Sequence, residues 1–414
     1  MLSPAETDLV RRDPAVPGLA LVLDPDAFVA ALRHAAPELD VRAAHITYSR
    51  YKPRKYCRVT YRLDIAGTEV EAGVRACRPE DLDSGSDGVL LKEHAVAVTV
   101  FPDDLKLRQL RHLADATERQ PLLRELLPDR PELWLGQLRC LRYRPERRYV
   151  AELRAADESR ALVKCYTAKA YVRGKRNAVA FQSRGPLRIA RLLGSVDKRR
   201  LLAFEWLPGR LLFDLCAAPE IDAKAVAAAG AALAALHAQD CAELTCWTRE
   251  SETADILSLA SEIGFICPQV AGRADELAHR LAAQLAGAPA LRSTLHGDFS
   301  ANQVLVGDQE VAIIDLDWAC CGDPADDLGN FIAQAERYAL RHELSPKRVE
   351  PLKHALIEGY GQATNRPVPE RIGLYTAVEV FRRTRFPFRA REPDWPQRTE
   401  SLLDRAAAIL DTLP

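Results

Sequence analysis

A β-hairpin is predicted where two apolar runs, residues 304–306 and 311–314, flank a Gly-Asp turn. Asp298 and Gln303 precede the first run, and Asp315 follows the second. Because the two strands are antiparallel, we expect these three side chains to gather at the same end of the hairpin. Their carboxylate and amide oxygens are suitable ligands for a hard cation.

This arrangement suits phosphoryl transfer. That reaction needs a carboxylate to orient or deprotonate the attacking hydroxyl, and oxygen ligands to hold Mg²⁺ against the phosphates of ATP. Asp298 suits the first task, and Asp315 with Gln303 suits the second. Either motif alone is better explained as a capped turn or a strand-end carboxylate. The order of both motifs around one hairpin favours the catalytic interpretation.

The segments HGDFSANQVLV and IIDLDWACCGDPADDLGNF resemble the catalytic and metal-binding segments of aminoglycoside phosphotransferases and their choline-kinase and sugar-kinase relatives. The resemblance implies an α+β, protein-kinase-like two-lobed fold, here with an additional N-terminal α/β lobe. It also implies that Asp298 is the catalytic base, that Asp315 binds magnesium and that Asp327 braces the loop. We expect His296 to support the loop by hydrogen bonding.

The metal-binding Asn of this family stands five residues after the base, and that position is Gln303 here. An Asn lies one place earlier, at Asn302. The pattern HGDxxxxQVL is similar to that of the maltokinase and glucosamine-kinase branch, in which Gln takes the metal role. We therefore favour Gln303 and keep Asn302 in reserve. The role of Asp317 is left open among three alternatives: it binds a second metal, contacts the acceptor or braces the turn.

The composition predicts a globular protein of two or three domains, with 414 residues of which 48% are apolar. A formal charge of −1 gives no electrostatic case for nucleic acid or an anionic membrane. The N-terminus lacks the parts of a signal peptide, and no stretch is long enough to span a membrane. Ten cysteines are scattered without metal-site spacing. These features predict a cytoplasmic protein, and its oligomeric state stays unknown.

Two similar segments precede the hairpin. ITYSRYKPRKYCRVTYRL begins at Ile46 and QLRCLRYRPERRYVAEL begins at Gln137, and each reads as strand, basic turn and strand. Each leads to a further strand with a cation, Arg75 in the first and Lys164 in the second. The pattern predicts two related β-lobes, with chance similarity of arginine-rich hairpins as the alternative. Leucines in residues 98–127 predict a helical connection that packs the first lobe onto the second.

Three parts are therefore predicted. Residues 1–135 form an N-terminal cap with a lobe-like hairpin. Residues 136–208 form the nucleotide-binding lobe, and residues 209–414 form a mainly helical lobe that carries the catalytic and acceptor-binding residues.

Lys164 follows an apolar strand pattern, where an ammonium is costly to bury unless an anion meets it. The resemblance gives it the place of the lysine that contacts the nucleotide phosphates. The acid expected on the following helix is missing, so Gln182 and an acid from elsewhere are the alternatives. Arg147 lies in a turn that stands where the phosphate-covering loop would be, and a solvated basic turn is its other interpretation. The resemblance further implies that adenine meets the backbone at Glu205, Trp206 and Leu207.

The predicted function is ATP- and Mg²⁺-dependent phosphorylation of a hydroxyl on a small-molecule acceptor. A sugar or amino sugar is favoured, and an aminoglycoside comes next. Asp317, Glu379 and Arg382 are candidate acceptor contacts, although a solvated arginine face also explains the last two. A catalytically weak pseudokinase that binds nucleotide or a partner is the main alternative. A protein kinase is the other, but the short loop from Asp315 to Asp327 leaves little room to hold a peptide.

Overall fold

The computed structural model describes every residue except 84–87, 241, 290, 309, 365–366 and 414. Along the chain, a first lobe (residues 1–100) is followed by a connecting segment (101–136), a second lobe (137–205) and a helical lobe (210–413). The mixed α+β architecture predicted from the sequence is confirmed.

The first lobe packs three helices against an antiparallel sheet. Ser3 and Asp24 begin two of these helices as N-caps, because their side chains accept the free backbone N–H groups of the first turn. The elements are α1 (Pro4–Arg12), α2 (Leu19–Leu23), α3 (Pro25–Ala35), β1 (Val41–Lys52), β2 (Tyr56–Ile65), β3 (Thr68–Cys77), β4 (Val89–Leu91) and β5 (Val96–Val100).

The connecting segment and the second lobe share one apolar core. The connecting segment is helical, as the leucine spacing predicted, and its leucines pack with Tyr149, Ala151 and Val163 of the second sheet. Among the described residues, this core includes none from the first lobe. The elements are α4 (Leu110–Ala114), α5 (Ala116–Leu126), β6 (Gln137–Arg144), β7 (Arg148–Arg154), β8 (Arg160–Tyr166), α6 (Ala168–Ala180), β9 (Leu187–Arg188), β10 (Leu192–Val196) and β11 (Leu201–Glu205).

The two lobes repeat one topology. The spatial order is β1-β2-β3-β5-β4 in the first sheet and β6-β7-β8-β11-β10 in the second. In both, the first hairpin turns through a residue with positive φ, Arg54 (58°) or Glu146 (57°). Arg75 and Lys164 occupy equivalent positions in the two sheets. Each pairs with a residue of the middle strand, two places after the residue pair that closes the first hairpin of its lobe. The predicted relationship therefore extends to the register of the cation-bearing strand.

The helical lobe surrounds the predicted central hairpin, in which Val304 pairs with Ile313 in the antiparallel sense. The elements are β12 (Arg210–Leu211), α7 (Leu212–Ala217), α8 (Ala223–His237), α9 (Arg249–Ile266), α10 (Ala271–Gly287), β13 (Ser293–Leu295), β14 (Val304–Val306), β15 (Val311–Ile313), β16 (Cys320–Gly322), α11 (Ala325–Leu340), α12 (Val349–Ala363), α13 (Ile372–Arg382), α14 (Phe386–Arg389) and α15 (Trp395–Asp411). None of the helices in the described ranges has the length and apolar character needed to cross a bilayer.

The first lobe touches both other lobes. Ser49 on β1 donates a hydrogen bond to the carbonyl of Phe388 on α14 (3.1 Å). Gly73 on β3 lies against Pro145 in the β6–β7 turn, and a Cβ at Gly73 would come within 2.7 Å of the proline ring. The first lobe is therefore positioned against the edge of the cleft between the other two.

Asp104 of the connecting segment holds the β6–β7 turn in place. One carboxylate oxygen accepts the backbone N–H groups of Lys106 (2.7 Å) and Leu107 (2.8 Å). The other accepts the hydroxyl of Tyr143 and the backbone N–H of Glu146, both at 2.7 Å. Because Asp104 is buried, these donors have no solvent to replace it.

We expect Asp104→Ala to lower the free energy of unfolding by about 3 kcal/mol, since buried donors would lose a charged acceptor. Urea denaturation measures this. The matched control is Asp103→Ala, which removes a carboxylate paired with Arg111 at the surface and should cost less than about 1 kcal/mol. Equal losses for both variants would contradict the role given to Asp104.

Candidate active site

A buried ion pair forms the base of the cleft between the second and helical lobes. The Lys164 ammonium on β8 lies 2.8 Å from Asp315 Oδ1 and 3.1 Å from Asp317 Oδ1. Burial opposes the charge of Lys164, but Asp317 and Asp315 hold its pKa above the usual value. The acid missing from the helix after Lys164 is thus replaced by acids from the helical lobe.

Arg148 and Tyr166 complete this charge cluster. One Arg148 nitrogen lies 3.0 Å from Asp315 and 3.3 Å from Asp317. The Tyr166 hydroxyl donates to Asp317 at 2.9 Å. Burial alone would raise the pKa of Asp315, but Lys164 and Arg148 hold it far below its usual range. Asp315 is therefore kept ionised at the cleft base.

Helix α6 positions the loop that carries the two acids. The Asn177 amide donates to the carbonyls of Leu316 (3.0 Å) and Ala319 (3.1 Å). Arg173 donates to the Asp317 carbonyl (2.8 Å), and its guanidinium stacks 3.8 Å from the Trp318 ring. These donors matter because Asp315 itself has a positive φ of 65°, a conformation that surrounding contacts must maintain.

The loop that carries Asp298 is fixed by Asp327. Its carboxylate accepts the backbone N–H groups of His296 (2.6 Å) and Gly297 (2.9 Å), and lies 3.0 Å from His237 Nε2. Gly297 has a φ of 77°, and a Cβ there would lie 2.4 Å from the Trp318 carbonyl oxygen. Only glycine allows the catalytic loop to approach the acidic loop this closely.

His296 joins the same two loops. Its Nε2 lies 2.8 Å from the carbonyl oxygen of Ile314, and its Nδ1 lies 3.1 Å from the backbone nitrogen of Asp298. A single tautomer satisfies both contacts, with Nε2 donating and Nδ1 accepting. This agrees with the supporting role expected for His296 from the sequence.

The Asp298 side chain is open to solvent at the cleft. The protein around it nevertheless excludes enough water to raise its pKa, and the charge of Asp315 acts in the same direction. A carboxylate with a raised pKa is a better proton acceptor than an ordinary aspartate. The arrangement suits the base role predicted for Asp298.

Gln303 and Asn302 differ in availability. The Asn302 amide donates to the Tyr338 hydroxyl at 2.6 Å. The Gln303 side chain makes no hydrogen bond to any described residue, while its backbone carbonyl accepts the N–H of Ile314, next to Asp315 (2.9 Å). Of the two, the structure leaves Gln303 free to act as an oxygen ligand.

The described residues contain no group of three or more His, Cys, Asp and Glu side chains arranged to hold a metal ion. A site formed by one carboxylate, one amide and substrate phosphates does not require such a group.

An apolar cavity of about 600 Å³ adjoins the ion pair. Lys164 and Asp315 line it, as do the three predicted hinge residues, Glu205, Trp206 and Leu207. Its size and mostly apolar surface are typical of sites for small molecules and cofactors.

Arg147 does not line this cavity; it lines a smaller one that faces the first lobe. The arginine that reaches the acidic loop is its neighbour Arg148. Gln182 makes no described contact with Lys164: its side chain is exposed, whereas Lys164 is buried.

Glu379 and Arg382, predicted as acceptor contacts, lie 2.6 Å from each other, and Glu379 also pairs with Arg383 (2.7 Å). Asp317, the third such candidate, is occupied by Lys164, Arg148 and Tyr166. These three candidates are therefore engaged by the protein's own groups.

Arg148, Tyr166 and Asn177 were not predicted. The first two had a signal in the sequence, because side chains two apart on a strand share a face. Lys164 and Tyr166 are two residues apart on β8, and Arg148 on β7 is the cross-strand partner of Tyr166. All three side chains therefore share one face of the sheet. Asn177 had none, since it depends on how α6 meets the acidic loop.

A lysine paired with acids beside an apolar cavity, in a two-lobed α+β fold, is typical of a kinase that acts on small molecules. The model of the phosphotransferase enzyme family matches residues 147–370. This is more than half of the chain, which therefore belongs to that family and is a small-molecule phosphotransferase.

Solved structures share the fold at low sequence identity. A choline kinase from Cryptosporidium parvum is 11% identical, with 72% of this chain and 96% of that chain covered and a TM-score of 0.50. A choline/ethanolamine kinase family protein from Mesorhizobium loti is 18% identical (72% and 95% covered, TM-score 0.48). The aminoglycoside phosphotransferase APH(4)-Ia, as a thermostable mutant, is 17% identical (67% and 94%, TM-score 0.48). No curated protein matches the chain.

We expect Asp327→Asn to lower the free energy of unfolding by about 2–4 kcal/mol at pH 7, because a buried hydrogen-bonded charge is removed. Its pKa is lowered, against the effect of burial, by His237. The stability that Asp327 contributes is therefore present above the unfolded-state pKa of about 3.9 and is lost as the pH falls. Urea denaturation at pH 7 and at about pH 3, below the unfolded-state pKa, should show the difference from wild type shrinking at the lower pH.

The neighbouring Asp326 provides an opposite control. Burial, then the charge of Glu379, raises its pKa well above the usual value, and one carboxylate oxygen lacks a hydrogen bond among the described residues. Its ionised form therefore costs stability that grows as the pH rises. Asp326→Asn should match wild type near pH 4 and be at least as stable at pH 7. A loss like that of Asp327→Asn would contradict this assignment.

Proposed function

We propose that the protein transfers the terminal phosphoryl group of ATP, with Mg²⁺, to a hydroxyl of a small polar metabolite, and that the acceptor is a sugar or amino sugar. The observation that carries the proposal is the Lys164–Asp315 ion pair (2.8 Å) that lines the 600 Å³ cavity. This pair supports the proposal, because a cation able to bind phosphate and a carboxylate able to bind a metal lie beside a space suited to a nucleotide base.

Within this proposal, residues 136–208 bind the nucleotide, residues 209–414 provide catalysis and the acceptor site, and residues 1–135 cap the cleft. Adenine would contact the backbone at Glu205, Trp206 and Leu207, which line the cavity. Reduced, cytoplasmic thiols are supported by the nine described cysteines, none of which is in a disulfide.

Asp298 accepts the proton of the attacking hydroxyl as that oxygen bonds to phosphorus and the bond to the departing ADP breaks. Its raised pKa favours the proton transfer. Lys164 and Arg148 balance the charge of the phosphates, and Asp317 orients both cations. The missing acidic partner of Lys164 and the glycine-free loop were the two reasons to consider a pseudokinase, and the contact of Lys164 with Asp317 answers the first.

Asp315 and Gln303 are the residues that would hold Mg²⁺. Their donor set fits the ion, since both offer oxygen and the Gln303 amide has no hydrogen bond to a described residue. When bound, the ion neutralises phosphate charge. The Gln303 pattern, similar to that of the maltokinase and glucosamine-kinase branch, supports a sugar or amino sugar as acceptor, with aminoglycosides next.

Asp298→Asn should lower kcat by about 10²–10⁴-fold, because the amide cannot accept the hydroxyl proton. ATP consumption across a panel of sugars, amino sugars, aminoglycosides and amino alcohols gives the measurement. ATP affinity should change little, since Asp298 does not line the cavity.

The control for this variant is Asp308→Asn in the exposed hairpin turn, which should keep full activity. Nucleotide binding without ATP consumption on any acceptor would instead indicate a pseudokinase. Unchanged kcat in Asp298→Asn would assign the base to another group.

Gln303→Ala should raise the Mg²⁺ concentration needed for half-maximal activity by about tenfold, the effect expected for loss of one oxygen ligand. Asn302→Ala is the matched control, because its amide is held by Tyr338, and its Mg²⁺ requirement should stay near that of wild type. Titration of Mg²⁺ at saturating ATP separates the two. The reverse ranking would move the ligand role to Asn302.

A further inference from the structure

Four arginines from all three lobes meet at the mouth of the cleft, and we call them the arginine cluster. Arg50 comes from β1, Arg144 and Arg147 from the β6–β7 hairpin, and Arg389 from α14. Arg50, Arg144 and Arg147 line one small cavity of about 20 Å³. Arg389 lies against β1, where its backbone carbonyl accepts the Ser49 hydroxyl (3.5 Å), and its charge acts on Tyr48, which lines the same cavity. All four side chains are partly buried.

The cluster lacks the anions that partly buried arginines normally require. Arg50, Arg144 and Arg147 form no ion pair and no side-chain hydrogen bond with any described residue. Arg144 instead stacks on the Tyr48 ring at 4.7 Å. Arg389 has one weak pair, with Glu262 at 3.6 Å. Like charges held together with part of their solvent removed repel each other, and an anionic ligand would supply the missing opposite charge.

The one acid in the small cavity does not neutralise the cluster. Glu146 is engaged by Arg58 (3.0 Å), Lys106 (3.4 Å) and Arg75 (3.8 Å), none of which belongs to the cluster.

The electrostatics agree with the geometry. Burial and the charge of Arg50 lower the pKa of Arg147 to about 10. Although burial alone would raise the pKa of Tyr48, Arg389 and the two hairpin arginines hold it below its usual value. The site therefore has an uncompensated positive potential.

The cluster leads toward Asp298 rather than into the nucleotide cavity. None of its four arginines lines the 600 Å³ cavity. Arg142 and Arg144 pair with Val150 and Arg148 of β7, so they share the sheet face from which Arg148 reaches Asp315. The charges of Asp315 and Asp298 also act on Arg142. An elongated acceptor with its hydroxyl at Asp298 would extend along Arg142 to the cluster.

We propose that the arginine cluster binds a phosphate or carboxylate group of the acceptor, which is therefore an anionic metabolite such as a sugar phosphate or a sugar acid. This inference rests on the proposed function. Guanidinium groups recognise both anions through paired N–H donors. The small cavity has room for the end of one such group and not for a sugar ring, since one water molecule needs roughly 10–15 Å³.

The first test needs no turnover. Inorganic phosphate is titrated into the full-length protein by calorimetry, with saturating ATP analogue and with chloride at equal ionic strength as reference. Wild type should bind phosphate, and Arg50→Gln and Arg147→Gln should bind it at least about tenfold more weakly, because each removes charged hydrogen bonds. Arg147→Lys should be intermediate. Arg184→Gln, an exposed arginine of the second lobe, is the control and should bind as wild type does.

The second test compares acceptors in pairs, each a neutral sugar with its phosphate ester or its acid. Wild type should show a lower KM for the anionic member, and Arg147→Gln should raise that KM by about tenfold with little change in kcat or in the neutral KM. Circular dichroism and thermal unfolding verify that the variants are folded.

The outcomes separate this inference from the proposed function. The site is overturned if Arg50→Gln and Arg147→Gln bind phosphate as tightly as wild type does, or if phosphate binds no more tightly than chloride. Binding at the cluster with no preference for anionic acceptors overturns the acceptor assignment and indicates a separate anionic effector. Absence of ATP consumption with intact phosphate binding refutes the proposed function but leaves the anion site standing.

Discussion

Two cations and two carboxylates meet at the base of the cleft, where Lys164 and Asp317 are buried and Arg148 and Asp315 are partly buried. Lys164 and Arg148 come from the second lobe, and Asp315 and Asp317 come from the helical lobe. Removing one member would leave a charge in a site where solvent cannot replace it, which is far costlier than losing a surface pair. The ion cluster therefore holds the two lobes at one separation. That separation sets the depth of the nucleotide cavity, which Lys164, Asp315 and Asp317 line.

The repeated lobe explains how the first part of the chain is attached. In each lobe the cation at the equivalent strand position is met by a carboxylate from the next unit along the chain. Arg75 faces Glu146 of the second lobe, and Lys164 faces Asp315 of the helical lobe. The β6–β7 turn that carries Glu146 is held by Asp104 and has no glycine. It is therefore a turn packed against another lobe, in contrast to a mobile glycine-rich loop that covers phosphates by its backbone.

The sequence was sufficient for features that depend on neighbouring residues. The central hairpin, the repeated lobes and the loop at Asp298 follow from apolar spacing and turn chemistry within a few tens of residues. The pairing of Arg148 with Asp315 joins residues 167 positions apart, so it depends on how the lobes dock. The two adjacent arginines, Arg147 and Arg148, show the limit of what the sequence can predict, because it did not reveal which of them reaches the acidic loop. Adjacent residues of a strand face opposite sides, and the sequence alone left the register of the turn open.

The distribution of unpaired charge bears on the acceptor. Near Asp298, Glu379 is already neutralised by Arg382 and Arg383, and burial raises the pKa of Asp326, which disfavours its charge. Little free negative charge is left there for a polycation such as an aminoglycoside. By contrast, Arg50, Arg144 and Arg147 form no ion pair with any residue that the structure describes. Since binding gains most where a ligand satisfies a charge that the free protein leaves unpaired, the asymmetry favours an acceptor with an acidic group over one with several amines.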